Sequence, residues 1–519
     1  GRLALALAAL HLARRPGVRP LLATLGVVLA MLGFAVASAQ VATQARAAEA
    51  ARTLGAARVL EVGGVSRSTL LAAVRAADPE GRYAMAVVSL PPNPGQPETL
   101  AVDTTRLAAV ARWDDEAEAA QVAEWLRPTA PESVVITDGE LVAELAVDDF
   151  SRSGDVVLGL RLIPPSGDAV EVEFGPITSR QREYTATVAG CPEGCRLVAA
   201  VLRKQTADYV DRIGVVFRSL RQNGAEVGPS GWLTDVSRWR IPELGLDLDH
   251  PKVAVVEGGL SLYQGSPEYG ASHQMFYVDA PYPLPVATTD ALRRGDLMTG
   301  VDRQIIRVTP QQVPAHLPGV GRPGALVDLE YAERLAAEPG EAVTPRVWLA
   351  ADAPPEVVER LREQGLTIRG DRGVDTLQAE LERDGAALAM RYHLLVAGMA
   401  VVVELAALIL VSLVDRRTWA TALHRLRSQG LSGRTATAAA LWSYGGVVVA
   451  GALAGVPAVI VAWLATGERI PFGVDPALLP AWPHWTQVAV AGAAVVAALI
   501  VAAAGLAWWQ RGVVTADRR

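Results

Sequence analysis

The chain has 519 residues, a mass of 54.7 kDa and a net charge of −7, and 51% of it is hydrophobic although only 5% is aromatic. Such a length is too great for one compact domain, and an apolar excess made of Ala, Val and Leu is typical of bilayer-spanning helices. Two cysteines exclude a disulfide-built scaffold, and the negative charge argues against a nucleic-acid-binding protein.

Lysine occurs only at Lys204 and Lys252, and neither follows a glycine. A phosphate-binding Walker loop needs Gly-Lys-Ser/Thr, because its lysine reaches the nucleotide phosphates. The sequence therefore excludes a P-loop ATPase within this chain.

Four apolar runs are long enough to cross a membrane. The first follows Pro20 and is uncharged; its 19 residues span about 28 Å as a helix, close to the ~30 Å hydrocarbon core of a bilayer. A cleaved signal peptide is the alternative, but no small-residue cleavage site follows and the helical pattern continues through 44–52. The sequence predicts four transmembrane helices, over 21–39, 392–414, 438–466 and 488–509.

Arginine distribution predicts the orientation of these helices. Residues 1–20 hold four arginines and no acid, 415–435 hold five against one aspartate, and 510–519 hold three against one. Basic loops stay on the cytoplasmic side. Both termini and the 415–435 loop are therefore expected in the cytoplasm, and 40–390 and 467–487 outside it.

The 350 residues outside are too many for a loop and must fold. Strands and helices alternate from 57 to 132, with a helix that begins after Ser66, and an α+β pattern returns before 371. Between these parts, over 133–264, hydrophobic residues alternate with period two, which is typical of a β-sandwich. The predicted fold class is an α-helical membrane protein with four transmembrane helices and a large extracytoplasmic α+β domain that carries an inserted β-sandwich.

The predicted chain begins with an interfacial helix (1–20), transmembrane helix 1 (21–39) and a stalk helix (40–56). The outer domain follows as a first α+β part (57–132), the β-sandwich (133–264) and a second α+β part (265–371). After it come a second stalk helix (372–391), transmembrane helix 2 (392–414), a cytoplasmic coupling loop (415–437), transmembrane helix 3 (438–466), an extracytoplasmic loop (467–487), transmembrane helix 4 (488–509) and a cytoplasmic tail (510–519).

Cys191 and Cys195 enclose Pro-Glu-Gly between two predicted strands. Outside the cytoplasm the redox setting favours a disulfide, which would hold a hairpin tip. The alternative is half of a metal site, but no histidine lies within thirty residues. We expect the disulfide, and no metal site.

No Ser-His-Asp spacing or paired-carboxylate motif is present, so we expect no catalytic residue, no enzyme activity and no cofactor in this chain. Trp232, Trp239 and Tyr263 in the predicted sandwich could stack on a glycan, or they could be core residues, which is the commoner role.

Two features lie inside the predicted transmembrane helices. Glu404 is a charge in mid-span, which is costly and normally faces protein or water. It could relay protons, or be a neutral, hydrogen-bonded glutamate between helices, which we favour. Gly451 and Gly455 have the small-residue spacing that lets helices approach closely, within the chain or between two chains.

The predicted cytoplasmic coupling loop carries the most specific motif. Arg416 and Arg417 precede the stretch from Leu426 to Arg434, which ends in a Gly-Leu-Ser-Gly-Arg turn. This pattern, with one span before a large outer domain and three after it, resembles the FtsX-like permease family, which includes MacB-type and lipoprotein-releasing transporters. In that family two such halves can be fused in one chain.

The resemblance implies a permease subunit of an ABC-type system of the mechanotransmission kind in the bacterial plasma membrane, with a porter-like α+β domain. A separate cytoplasmic ATPase dimer would bind the ATP, and a second permease half would complete the complex. The work would be done outside, by extruding a lipid, lipoprotein or peptide or by activating an envelope protein. Membrane lipids are the remaining expected partners.

The loop is also the only predicted segment that could receive force from a cytoplasmic ATPase. Trp419, Leu423 and Leu426 fall on one stripe of a short helix, expected to lie flat, with Arg416 at its edge. The rest of the expected coupling set is Arg417 and Arg427, on other faces, and Gly430, which suits a helix end. An ordinary interfacial loop is the alternative. An alternative function for the whole chain is a membrane-anchored glycan-binding sensor or adhesion protein.

Overall fold

The structure is a computed structural model that describes residues 18–428, 433–466 and 482–516, apart from positions 92, 114, 151–155, 166, 168, 179, 205–212, 243–251, 257, 265–272, 293–295 and 314–315. Its helices are α1 (Val18–Leu54), α2 (Arg67–Ala77), α3 (Leu107–Val110), α4 (Glu116–Leu126), α5 (Leu329–Arg334), α6 (Pro355–Glu363), α7 (Val374–Leu381), α8 (Gly385–Ser428), α9 (Gly433–Thr466) and α10 (Trp485–Ala516).

The strands, in chain order, are β1 (Arg58–Val62), β2 (Ala84–Ser89), β3 (Glu98–Val102), β4 (Val135–Ile136), β5 (Gly139–Phe150), β6 (Val156–Ile163), β7 (Val170–Phe174), β8 (Glu183–Val188), β9 (Cys195–Lys204), β10 (Ile213–Gln222), β11 (Ala225–Glu226), β12 (Trp239–Arg240), β13 (Lys252–Val256), β14 (Gly259–Gln264), β15 (His273–Tyr277), β16 (Leu284–Thr288), β17 (Leu297–Thr299), β18 (Ile305–Gln312), β19 (Gly324–Asp328), β20 (Arg346–Leu349) and β21 (Ile368–Gly373). The chain divides into two compact units: a helical unit, Gly1–Ala50 with Asp375–Arg519, and a sheet unit, Ala51–Val374.

The helical unit holds four helices long and apolar enough to cross a membrane, which confirms the prediction at that level. They cover Arg19–Leu54, Gly385–Val414, Gly445–Thr466 and Trp485–Gly505. The four helices share one apolar core. It contains Leu21, Leu25 and Leu29 of α1, Leu408 of α8, Val447 and Val448 of α9, and Leu499 and Ala503 of α10.

The two predicted stalks differ in the structure. α1 runs without a break from Val18 to Leu54 and so includes both the first apolar run and the segment after it. The second stalk is not one helix: β21 covers its first residues, α7 ends at Leu381 and α8 begins only at Gly385. The sequence accounts for this break, because Gly385 has low helix propensity and the Asp384 carbonyl accepts from the Leu388 N–H, which starts a new helix.

The sheet unit contains a nine-stranded sheet in the order β17-β18-β16-β19-β3-β2-β20-β1-β21. Strands from before and after the sandwich interleave, because β19 pairs in parallel with β3 and β20 lies between β1 and β2. The central strands β2 and β19 are buried along almost their whole length, as expected for continuous apolar runs. α2 begins where predicted, since the Ser66 hydroxyl accepts from the Thr69 N–H at 3.1 Å.

The chain between β3 and β16 forms two further sheets, β13-β14-β10-β5-β8 and β12-β15-β9-β6-β7, with β11 on β10 and β4 on β9. Residues of both sheets share one hydrophobic core, so they form a β-sandwich inserted into the α+β fold. Alternate burial along β8 shows one face on the core and one in solvent.

Two boundaries of the sandwich differ from the predictions. β15 pairs with β9, so the sandwich extends to Tyr277 and not to residue 264. The predicted single strand 253–262 is a hairpin of β13 and β14. Its two-residue turn includes Gly258 at φ +88°, a left-handed conformation that a hairpin turn of this length requires.

Candidate functional site

The membrane helices α1 and α9 pack along a close seam. A Cβ placed on Gly451 would lie 2.6 Å from Leu25 Cδ2, and one on Gly455 would lie 3.2 Å from Leu29 Cβ. One turn further, a Cβ on Gly33 would lie 2.7 Å from a methyl group of Val459. The contacts advance by four residues on both helices, so α1 and α9 run in the same direction. Gly451 and Gly455 therefore pack within the chain, one of the two alternatives that the spacing allowed.

Glu404 lies on α8 and is 5% exposed. The Thr24 hydroxyl of α1 donates to Glu404 Oε1 at 3.1 Å. A polar contact of this kind links two membrane helices, since the bilayer offers no competing water. Glu404 is thus hydrogen-bonded between two helices, as expected, and whether it also relays protons stays a prediction.

Arg46 lies in a buried position toward the other end of α1. Arg46 is 6% exposed, and among the described residues its Nε and Nη1 have no hydrogen-bond acceptor. Glu382 and Asp384, in the break between α7 and α8, attract this guanidinium, while Arg391 repels it and lies 3.4 Å from Glu382. A buried donor without an acceptor is costly, and the charges of Glu382 and Asp384 offset part of that cost.

The predicted coupling residues lie at the far end of α8. That helix continues from Gly385 to Ser428, so Arg416, Arg417, Trp419, Leu423, Leu426 and Arg427 are on it. The expectation of a separate short helix lying flat is therefore wrong: 415–428 extend the second span in one helix, with no proline or glycine to end it. Gly430 and the turn over 429–432 lie outside the described residues, as do residues 1–17 of the interfacial helix predicted over 1–20; residues 18–20 belong to α1.

In the sheet unit, two aspartates lie at one edge of the nine-stranded sheet. Asp103 follows β3 and Asp328 ends β19, and because these strands are parallel their carboxyl ends meet. Such an edge is a common ligand site. Here arginines occupy it: Arg75 makes a bidentate pair with Asp103 at 2.9 and 3.0 Å, and Arg127 donates to Asp328 at 2.9 Å.

Glu330 joins these two pairs, since its Oε2 accepts from Arg127 at 2.6 Å and from Arg75 at 3.0 Å, and its Oε1 accepts from Arg334. Burial acts to raise the pKa of Glu330, but the hydrogen bond and charge of Arg127 and the other two arginines outweigh it and lower the pKa to about 2. Burial raises the pKa of Asp328 above its ordinary value, against Arg127 and the Thr104 hydroxyl. Each carboxylate of the cluster is paired with an arginine, so the charges of the cluster compensate one another.

A second polar cluster holds the sandwich on the α+β sheet. The fully buried Asp279 accepts from Ser133 at 2.8 Å and from Arg196 of β9 at 3.1 Å. Arg334 of α5 donates to the Asp279 carbonyl at 3.3 Å, and Arg240 donates to the Leu335 carbonyl. The chain enters the sandwich near Ser133 and leaves it near Asp279. The two connections between the sandwich and the α+β sheet are therefore hydrogen-bonded to each other.

Cys191 and Cys195 form a disulfide with Cα atoms 5.2 Å apart, which confirms the predicted bond and overturns the metal-site alternative. The bond does not hold a hairpin tip, because β8 and β9 belong to different sheets. It closes the connection between the two sheets, and both cysteines are fully buried in the shared core. Elsewhere in the described chain, no three His, Cys, Asp or Glu side chains converge to hold a metal ion.

The tryptophans of the sandwich are core residues. Trp232 and Trp239 are each 6% exposed and stack on one another with ring centroids 5.9 Å apart. Tyr277 meets Trp232 edge-on at 5.5 Å, and burial raises its pKa to about 12. Neither tryptophan can offer a stacking face to a glycan; Tyr263 of β14 is half-buried.

Comparison of the chain with models of known protein families and with curated proteins finds no match to either.

Proposed function

We propose that the chain is the permease subunit of an ABC-type transporter of the mechanotransmission kind. In this proposal it spans the bacterial plasma membrane with both termini in the cytoplasm and its sheet unit outside. A separate ATPase dimer binds ATP, so the chain itself is not catalytic, and a second permease half completes the complex. The cargo is a lipid, lipoprotein or peptide, or the output is activation of an envelope protein.

The length of α8 is the observation that carries this proposal. The apolar part of the helix ends at Val414, but the helix continues to Ser428. Fourteen further residues extend about 21 Å at 1.5 Å per residue, beyond the hydrocarbon core. A continuous helix carries displacement along its axis, so a partner that binds 415–428 would act directly on the second span. The unbroken α1 supports the same mechanism on the first span.

The glycan-binding alternative has less support. It required exposed aromatic faces on the sandwich, and Trp232 and Trp239 are buried. A sensor or adhesion protein also needs only one membrane helix as an anchor, whereas four helices share a core here.

Affinity purification of the full chain from gently solubilised membranes tests the proposal. We expect the wild-type chain to recover an ATPase with a Walker loop, and the purified chain alone to hydrolyse no ATP. Leu423→Asp with Leu426→Asp should release that ATPase, because losing one buried apolar anchor commonly costs about 2 kcal/mol, roughly thirtyfold in affinity.

Thr421→Asp is the matched control. It adds the same single charge to α8 as either leucine substitution alone, about 200° around the helix from Leu423, and should leave ATPase recovery unchanged. Recovery of the ATPase by the double variant at the wild-type level would show that this surface is not the coupling site. Absence of any ATPase from the wild-type preparation, together with binding to a glycan array, would favour the sensor alternative.

A further inference from the structure

An apolar groove of about 510 Å³ runs along the outside of the seam between α1 and α9. Gly26, Ala30, Ala454 and Ala458 form part of its lining, and Met31 and Phe34 rise beside them. Val27 on its wall is 59% exposed. No charged side chain lines the groove, so it lies in a part of the bundle that only an apolar molecule would fill.

The dimensions of the groove fit one acyl chain. Its lining on α1 extends from Leu22 to Phe34, which is about 18 Å at 1.5 Å per residue. Half of a ~30 Å hydrocarbon core is about 15 Å, so the groove has the length of one bilayer leaflet. The contacts of Gly451 and Gly455 hold the two helices close, which leaves a narrow channel beside them rather than a broad cavity.

The residues at one end of the groove suit a lipid headgroup. Arg19 is exposed and lies one helical turn before Leu22, where the lining begins. Trp442 on α9 is 49% exposed and precedes Ala454 by about three turns; it lies on another face of that helix and indicates only the level of the membrane interface. Arginine attracts lipid phosphates, and tryptophan prefers the membrane interface.

We propose that this groove is a binding site for one anionic membrane phospholipid, with its phosphate at Arg19 and one acyl chain along Gly26, Ala30 and Ala458. The assignment does not depend on the proposed transport function. The bound lipid covers the exposed side of the α1–α9 seam and so belongs to the packing of the helix bundle.

Native mass spectrometry of the full chain in detergent tests the site, with phosphatidylglycerol and phosphatidylcholine of identical acyl chains as probes. Gly26→Leu and Ala458→Leu each place a side chain in the groove. Each should weaken phosphatidylglycerol binding at least about tenfold, the effect of losing two buried methylene groups. Gly492→Leu on α10 is the matched control, because its Cβ meets nothing within 4 Å, and should bind as wild type.

Arg19→Gln tests the contact with the lipid headgroup separately from the contact with the acyl chain. It should weaken phosphatidylglycerol about fivefold, as expected for one basic side chain near an anionic surface, and weaken phosphatidylcholine less, because its choline ammonium offsets the charge of the phosphate. Equal lipid binding by Ala458→Leu and Gly492→Leu would overturn the site, even if Gly26→Leu did not fold. A wild-type dimer that Ala458→Leu dissociates at constant lipid content would assign the groove to a second copy instead.

Discussion

Glu330 is a residue at which a single charge should contribute strongly to the stability of the sheet unit. It contacts Arg75, Arg127 and Arg334, and its side chain is 17% exposed. Its pKa lies at about 2 in the folded chain against an ordinary 4.5. Because one pKa unit corresponds to about 1.4 kcal/mol, the ionised carboxylate stabilises the folded state by about 3 kcal/mol at pH 7.

Glu330→Gln should therefore destabilise the sheet unit by about 3 kcal/mol at pH 7, since it keeps the shape of the side chain but removes the charge. The depressed pKa gives stability that is complete above pH 4.5 and falls as the pH approaches 2. At pH 3 only about 1.4 kcal/mol remains, so the difference between wild type and variant should narrow by about 2 kcal/mol. Groups outside this cluster titrate equally in both chains and cancel in this difference.

Urea unfolding of the full chain, followed by pulse proteolysis of the sheet unit, measures these free energies. Glu338→Gln is the control: it makes the same chemical change at an ion pair with Arg161 in which the Glu338 side chain is 71% exposed. Such a pair contributes about 0–1 kcal/mol. Equal effects of the two variants at pH 7, or a Glu330→Gln difference that stays constant between pH 7 and pH 3, would refute the role assigned to Glu330.

Three further predictions concern the seam, the disulfide and the sandwich core. Gly451→Leu should lower the stability of the helix bundle by about 1–3 kcal/mol through overpacking against Leu25, and thermal unfolding in detergent should show no such loss for Gly492→Leu. Neither Cys191 nor Cys195 should react with an alkylating reagent without reductant, and replacing both with serine should cost the sandwich about 2 kcal/mol in urea unfolding, as expected for so short a loop. Trp232→Ala should cost about 3–5 kcal/mol in the same assay and leave any glycan-array signal unchanged, because the ring is buried.

Local patterns predicted the elements that local physics determines. The apolar run after Pro20 and the cap at Ser66 mark helices that form as expected. Alternation along β7 and β8 gave the sandwich strands, because a half-buried strand repeats its burial every second residue. The predicted disulfide needed only the compartment and the spacing of its two cysteines.

The missed elements depend on distant partners. β21 has the sequence Ile-Arg-Gly-Asp-Arg-Gly, which carries no apolar alternation. It forms at the edge of the nine-stranded sheet because it pairs with β1, where Arg58 Nε donates to Asp371 at 2.7 Å. Similarly, nothing near Asp279 in the sequence marks it as a junction, since its partners Ser133 and Arg196 lie 146 and 83 residues away.

The position of these junctions bears on how the sheet unit can act. Arg127 and Ser133 precede the sandwich and Asp279 follows it, so both crossings of the chain end in buried, charge-assisted hydrogen bonds. Removing one partner of such a bond leaves an uncompensated buried charge, which costs several kcal/mol. Pivoting of the sandwich on the α+β sheet would break the bonds from Arg334 to the Asp279 carbonyl and from Arg240 to the Leu335 carbonyl. We therefore expect the sandwich and the nine-stranded sheet to move together, so that a ligand or partner that binds either part acts on both.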